Sequence, residues 1–332
     1  MKKLALLTVV AMLMFAAATP AVQAKEWHGN VGAQSEDMGR QGLAFLPNEF
    51  WVHVGDSVTW TFSTTEIHTV SFLSNGQIRP SFQAGCPGST PDGSSYTGAA
   101  CVNSGTSASG QTYTVNFPTA GNFKLVCLVH ANMTAMVHVL NLTETLPHDQ
   151  AFYDDQANNQ QAKLLSDGSR LEGRGTATAR QTSENEVSAG IGEIVATGAG
   201  HDTVSVMRFM RKTIVVHAGD TVEWTNLDPV TNHTVTFGTE PADFMPPSVG
   251  VSGDSDGARH AVLGSPTDSV NSGLLGAARQ DRVGLAQTPS GVTRFRTTFT
   301  SAGTFNYFCA LHDNLDMVGT VIVLPAEDHH HH

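Results

Sequence analysis

The chain has 332 residues and a mass of 35.2 kDa, more than one small domain needs and enough for two at roughly 100 to 200 residues each. With 14% charged residues, 40% hydrophobic residues and 32 glycines, its composition excludes a disordered chain, a coiled coil or a charge-laced helical bundle and suits a β-rich, loop-rich protein. The 18 Lys and Arg against 30 Asp and Glu give a net charge of −12, without the basic field that nucleic-acid binding requires, so no nucleic-acid partner is expected.

The N-terminus reads as an address. Met1, Lys2 and Lys3 form a short basic segment, Leu4 to Ala18 are apolar, and Val22, Gln23 and Ala24 set small residues where a signal peptidase cuts. Residues 1–24 are therefore predicted to be a bacterial-type signal peptide cleaved after Ala24, which places the protein in the periplasm or outside the cell. The apolar run is shorter than the roughly 20 residues a spanning helix needs, and no later run approaches that length. No membrane span is expected after cleavage. Losing Lys2 and Lys3 leaves 16 basic against 30 acidic residues, a charge of −14, so an electrostatic partner should be basic.

Residues 25–145 form the first predicted domain. Phe50, Val52 and Val54, then Val58, Trp60 and Phe62, alternate with polar neighbours as half-buried strands do, and Gly55-Asp56 and Ala120-Gly121 read as turns. Residues 74–112 interrupt the alternation as a long inserted loop rich in Gly, Ser and Pro. Cys86 and Cys101 both fall inside it, and in an exported chain they are expected to form a disulfide, ordering the loop and contributing about 3 kcal/mol. A polar linker, 146–185, should be partly helical, with one or two turns around Ala151, Ala157 and Leu164 before Gly168 and Gly173 break them.

Residues 186–326 repeat the first domain. Val54-Gly55-Asp56-Ser57-Val58-Thr59-Trp60 returns as Ala218-Gly219-Asp220-Thr221-Val222-Glu223-Trp224, each followed by His-Thr-Val at His68 and His233. The segment from Phe117 to His130 returns from Phe299 to His312, with a longer insertion, 239–291, before it. Each copy is long enough to bury its own core, and many short strands with turn signals suggest a β-sandwich. The tail 327–332 ends in histidines that a purification tag would also supply, and it carries no functional weight.

Chemistry is concentrated in the repeated parts. Cys127 is followed by His130 and Met133, with His68 upstream; Cys309 is followed by His312 and Met317, with His233 upstream. Two imidazoles, a thiolate and a weak thioether form the ligand set of a blue-copper electron-transfer site, in which soft sulfur holds Cu(I) and imidazole also accepts Cu(II). A lone strand Cys is ordinarily a small core hydrophobe, and a lone His a satisfied side chain. The recurrence of all four residue types in equivalent places argues against that reading.

At these motifs the chain resembles two tandem cupredoxin (plastocyanin-like) domains, through the Gly-Asp-x-Val-x-Trp strand, the His-Thr-Val strand and the Cys-x2-His loop, over most of 45–140 and 208–324. The loop ending at Met133 resembles that of amicyanins, and the one ending at Met317 the plastocyanin pattern. The resemblance implies an all-β protein of two Greek-key β-sandwiches with two type 1 coppers, one held by His68, Cys127, His130 and Met133 and the other by His233, Cys309, His312 and Met317. It also implies electron transfer through an exposed His edge. Leu315 stands at the spacing Met133 has in the first loop, so Met317 is axial only if the second loop is two residues longer. Thr69 and Thr234 stand where plastocyanins commonly carry Asn, so the thiolate should take its hydrogen bond from a backbone N–H or a hydroxyl.

Three functions follow for weighing. The first is electron carrying by Cu(I)/Cu(II) cycling, with a redox partner such as a basic cytochrome. The second is copper binding for buffering or resistance, which usually shows Met-rich or His-rich tracts, whereas Met207, Met210 and Met245 are scattered. The third is catalysis, as in copper nitrite reductases and small laccases of the same family. Those carry a His directly before the blue-copper Cys, where this chain has Val126 and Phe308, so no enzymatic role is expected.

Overall fold

The computed structural model describes residues 23–79, 86, 88–179, 181, 183–276 and 291–326. Most of the expected signal peptide and the histidine-ending tail lie outside the described residues.

Alternation becomes burial as expected. In Ser57–Phe62 the side chains of Val58, Trp60 and Phe62 point into the first core, and in Thr221–Leu227 those of Val222 and Trp224 point into the second. The strands pair as two face-to-face sheets per domain. In the first domain one sheet joins Arg40–Leu46, Glu26–Gln34, Ser57–Phe62 and Thr112–Asn116, and the other joins Glu49–His53, Thr134–Leu140, Gly121–Val126 and Ser71–Phe72. The second domain repeats both orders, with His201–Met210, Glu186–Ala196, Thr221–Leu227 and Arg294–Phe299 in one sheet and Thr213–His217, Val318–Leu324, Gly303–Phe308 and Thr236–Phe237 in the other. Separate aromatic cores fill the sandwiches, around Trp60, Phe72 and Phe117 in the first and Trp224, Phe237 and Tyr307 in the second. At 25 cal/mol per Å² or so, this burial is the main force behind each fold.

Described parts of both inserted loops pair with the sandwiches. Cys86 and Cys101 are disulfide-bonded. Val102–Asn103 and Val270–Asn271 add a short outer strand to each second sheet, and a few residues later each insertion bonds to the upstream histidine strand. Ser107 and His68 exchange backbone hydrogen bonds of 2.9 Å, and Leu275 and His233 do the same at 2.7 and 3.2 Å.

The domains are joined edge to edge. Arg40–Leu46 pairs antiparallel with His201–Met210, Thr203 facing Leu43 and Val206 facing Arg40, so one sheet of each sandwich continues into the other. Over this seam lies the helix Gln150–Ala179. Asp149 caps it, its carboxylate accepting the Phe152 N–H at 3.0 Å. Its buried face, Ala157, Leu164, Leu171 and Ala179, packs on Ala33, Ala44, Leu46, Val204, Val206 and Met210 as a third core.

This helix corrects the expectation of a stretch broken at Gly168 and Gly173, since it runs through both as one 30-residue element. Gly168 lies on the buried face, where a Cβ would stand 3.3 Å from Arg40 Cβ, and a Cβ at Gly175 would overlap Met210 Sδ. These glycines let the helix lie close to the sheet, and tertiary packing outweighs their propensity cost of about 1 kcal/mol each. Gly173 faces open space and carries that cost uncompensated.

Candidate metal centres

Each upstream histidine sits against a bulge. The pairing of Glu26–Gln34 with Arg40–Leu46 shifts register between Val31 and Ala33, and that of Glu186–Ala196 with His201–Met210 shifts between Ala189 and Ile191. The residues at the bulges, Gly32 and Gly190, have φ of 78° and 77°, and a Cβ on either would press on the imidazole of His68 or His233. Glycine therefore serves both the backbone conformation and the space for the ring.

Cys127 and Cys309 stand directly beyond the strands Gly121–Val126 and Gly303–Phe308. The Cys127 N–H donates to the Met133 carbonyl and the Cys309 N–H to the Met317 carbonyl, both at 3.0 Å, closing a loop that carries His130 or His312. In each loop the residue before the methionine is left-handed, Asn132 at φ 56° and Asp316 at φ 63°, a conformation Asn and Asp tolerate. The two extra residues of the second loop are taken up by the 3-10 turn Asp313–Leu315. Met317 thus occupies the place of Met133, and Leu315 packs into the core.

His68, Cys127 and His130 come together, as do His233, Cys309 and His312, all six buried and with one ligand atom from each residue within 4.8 Å of the others in its group. In the first group the two Nδ1 atoms are 3.2 Å apart, and Cys127 Sγ lies 3.8 Å from His130 Nδ1. In the second the corresponding distances are 3.2 and 3.4 Å, with Cys309 Sγ 3.9 Å from His233 Nδ1. The centre of such a triangle is about 2 Å from each corner, the length of first-row metal bonds to nitrogen and thiolate. Nitrogen and sulfur donors in this trigonal arrangement fit copper. The Thr69 and Thr234 N–H groups donate to the two sulfurs at 3.4 and 3.3 Å. Their hydroxyls accept instead from the Leu128 and Ala310 N–H groups, at 2.7 Å each, locking the ligand loop to the upstream strand. The backbone is thus the source of the thiolate hydrogen bond.

One expectation is overturned. The edges of His130 and His312 do not face solvent; each residue is only 3% exposed. The two domains meet at these edges, with Glu66 between them: His130 Nε2 is 3.2 Å from Glu66 Oε1, and His312 Nε2 is 3.6 Å from Glu66 Oε2. Burial raises the cost of charging Glu66, yet the neighbouring imidazoles hold its carboxyl down at about 2. Burial also works against a charged His130, but Cys127 and Glu66 raise it to about 10, and the Cys127 thiol is driven well below its ordinary range by the two imidazoles despite its own burial. His312, buried and repelled by His130, is lowered. The carboxylate acts more strongly on His130, the nearer ring.

Glu66 was not among the residues singled out by sequence. Its signal was an acid two positions before a ligand histidine in one copy, where the other copy has Thr231. His53 and His138 lie outside both groups and are half-buried, His138 between Glu49 at 2.9 Å and Asn122 at 2.6 Å.

Paired β-sandwiches with a buried His–Cys–His group at one end of each define a tandem cupredoxin. The sequence profile of copper binding proteins of the plastocyanin/azurin family matches residues 32–141 and 195–324, and the chain belongs to that family. No curated protein sequence matches the chain. Among solved structures it is similar to an amicyanin mutant in the reduced state, at 22% identity over 40% of this chain and 97% of that one, with a TM-score of 0.24. It is also similar to oxidised plastocyanin from Dryopteris crassirhizoma, at 21% identity over 42% of this chain and 99% of that one, with a TM-score of 0.22. The chain is a copper-binding cupredoxin whose two His–Cys–His groups, one per domain, fit two type 1 copper sites.

Proposed function

We propose that the protein is an exported electron carrier with one copper in each domain cycling between Cu(I) and Cu(II), and that it has no enzymatic role. The observation that carries this reading is the duplicated, fully buried ligand triangle, held by the same backbone contacts in both domains. A rigid site favours small rearrangement between oxidation states, which suits fast one-electron exchange. His68, Cys127 and His130 would hold the first copper and His233, Cys309 and His312 the second, with Met133 and Met317 the thioethers that would complete each set. Export rests on the signal-like N-terminus and on the disulfide Cys86–Cys101, since oxidising compartments preserve disulfides. No helix among the described residues is long and apolar enough to cross a membrane. The net negative charge favours a basic redox partner such as a cytochrome.

Copper binding for buffering or resistance is the second reading, and one observation favours it: both imidazole edges that would meet a partner are covered. Copper analysis and visible spectra of the wild type, Cys127→Ser and Cys309→Ser distinguish the two. An electron carrier shows two coppers, loses one thiolate-to-copper band in each variant, and bleaches and recolours reversibly. Copper bound without colour, or colour that a mild reductant does not bleach, transfers the assignment to copper handling.

A further inference from the structure

We infer that Glu66 couples the two copper centres into one redox unit. The inference rests on the two-copper reading above. An imidazole that ligates a metal through Nδ1 carries its hydrogen on Nε2, and such outer N–H groups are ordinarily taken up by a carboxylate, carbonyl or water belonging to that site alone. Here the ligand-side atoms are Nδ1 in both domains, and both outer Nε2 atoms of the C-terminal ligand histidines turn to the same carboxylate, one to each oxygen.

Among the described residues, no other side chain forms an ion pair with this carboxylate. Glu66 is buried beside two buried rings, so water screens its charge less than it would at the surface, and that charge acts on both ligand sets. The carboxylate belongs to the first domain by sequence, and Thr231 stands at its place in the second, so the pair is built from one acid rather than two. The connection is held by structure on either side. Thr64 Oγ1 donates to the Glu66 carbonyl at 3.2 Å, and Arg208 bridges the second ligand loop to the first domain, donating to the carbonyls of Leu315 and Asp37.

Two consequences follow. A positive charge gained at one site draws on the carboxylate and leaves less of it for the other, so each oxidation state is felt across the interface, equally in both directions. The imidazole–carboxylate–imidazole contact also gives an electron a short route, 3.2 Å from His130 Nε2 to the carboxylate and 3.6 Å from the carboxylate to His312 Nε2. With copper bound, an electron passing from the Cys127 site to the Cys309 site would oxidise the first and reduce the second, while both Nε2 hydrogens would stay on their rings.

The test is a spectroelectrochemical titration of the copper-loaded full chain, beside Glu66→Gln and, in a background that leaves Glu66 untouched, Cys309→Ser. Replacing the anion with a neutral amide is expected to move both sites toward Cu(I), by at least about tenfold in the Cu(I)/Cu(II) equilibrium, which is about 59 mV for one electron. Removing the second copper with Cys309→Ser is expected to shift the first site toward Cu(II), because the carboxylate then answers to one ion. Potentials that stay put in Glu66→Gln, or move at one site only, overturn the inference. If that variant does not fold, an unchanged first-site potential in Cys309→Ser overturns it. A wild type without thiolate-to-copper bands would sink the two-copper reading itself; bands with uncoupled potentials sink only the role of Glu66.

Discussion

The first and second metal centres have the same triangle and different surroundings. His68 Nε2 is 3.2 Å from Thr64 Oγ1, whereas His233 Nε2 is buried with no hydrogen-bond partner, Pro229 standing at the position of Thr64. Cys127 Sγ accepts a second N–H, from His130 at 3.4 Å, whereas the His312 N–H donates to the Cys309 carbonyl at 3.0 Å. Glu66 lies closer to the first site than to the second. A carboxylate and a partnered imidazole favour Cu(II), and an added N–H on sulfur favours Cu(I). The charged contact is the stronger by roughly twofold, so the first site should have the lower potential. Duplication has preserved the ligands and let their second partners diverge, which is how one fold holds two unequal coppers.

The largest test of that comparison is steric. A methyl group at position 190 overlaps His233 Nε2, and at position 32 it reaches within 2.9 Å of His68 Nε2, both at left-handed backbone. Gly190→Ala is expected to abolish copper binding in the second domain alone and Gly32→Ala in the first alone, each costing about 3 kcal/mol in stability. Copper per chain and denaturant midpoints check this.

A buried acid comes next. Asp202, in the strand that pairs across the seam, has a carboxylate oxygen with no partner, and burial pushes it up to about 7, with Lys163 offsetting part of the effect. Its acid form is favoured in the folded state, so the stability it contributes is full below about pH 4 and is lost as pH rises through about 7. Asp202→Asn should change little at pH 4 and stabilise by on the order of 3 kcal/mol at pH 8. Urea midpoints across that range measure it, and no gain at pH 8 contradicts it.

Thr64→Val makes the first site resemble the second. It should weaken copper binding there by about 10-fold to 100-fold, the usual effect of losing the outer partner of a ligand histidine, and leave the second site unchanged. The smallest effect lies in the helix. Gly173→Ala should stabilise by about 1 kcal/mol or less, while Gly168→Ala should destabilise, because only the former faces open space.

The loop part of each His–Cys–His group was legible because it is local. Cys127 to Met133 and Cys309 to Met317 fit on single loops, and a copy elsewhere in the chain removed the ambiguity of a lone His or Cys. The seam was not legible, for physical reasons. Arg40–Leu46 and His201–Met210 bury one face in a sandwich and the other under the helix, so they lack the period of two that marks a half-buried strand. The helix hides its buried face behind glycines that read as breakers. Glu66 took its meaning from His312, far along the chain, and no local pattern encodes that meeting.

The most direct measurement is a redox titration of the chain carrying two coppers, with the Cys127→Ser and Cys309→Ser spectra identifying each band. The account predicts two resolved one-electron steps, the Cys309 site reduced before the Cys127 site. A single copper per chain, or reduction of the Cys127 site first, would contradict it.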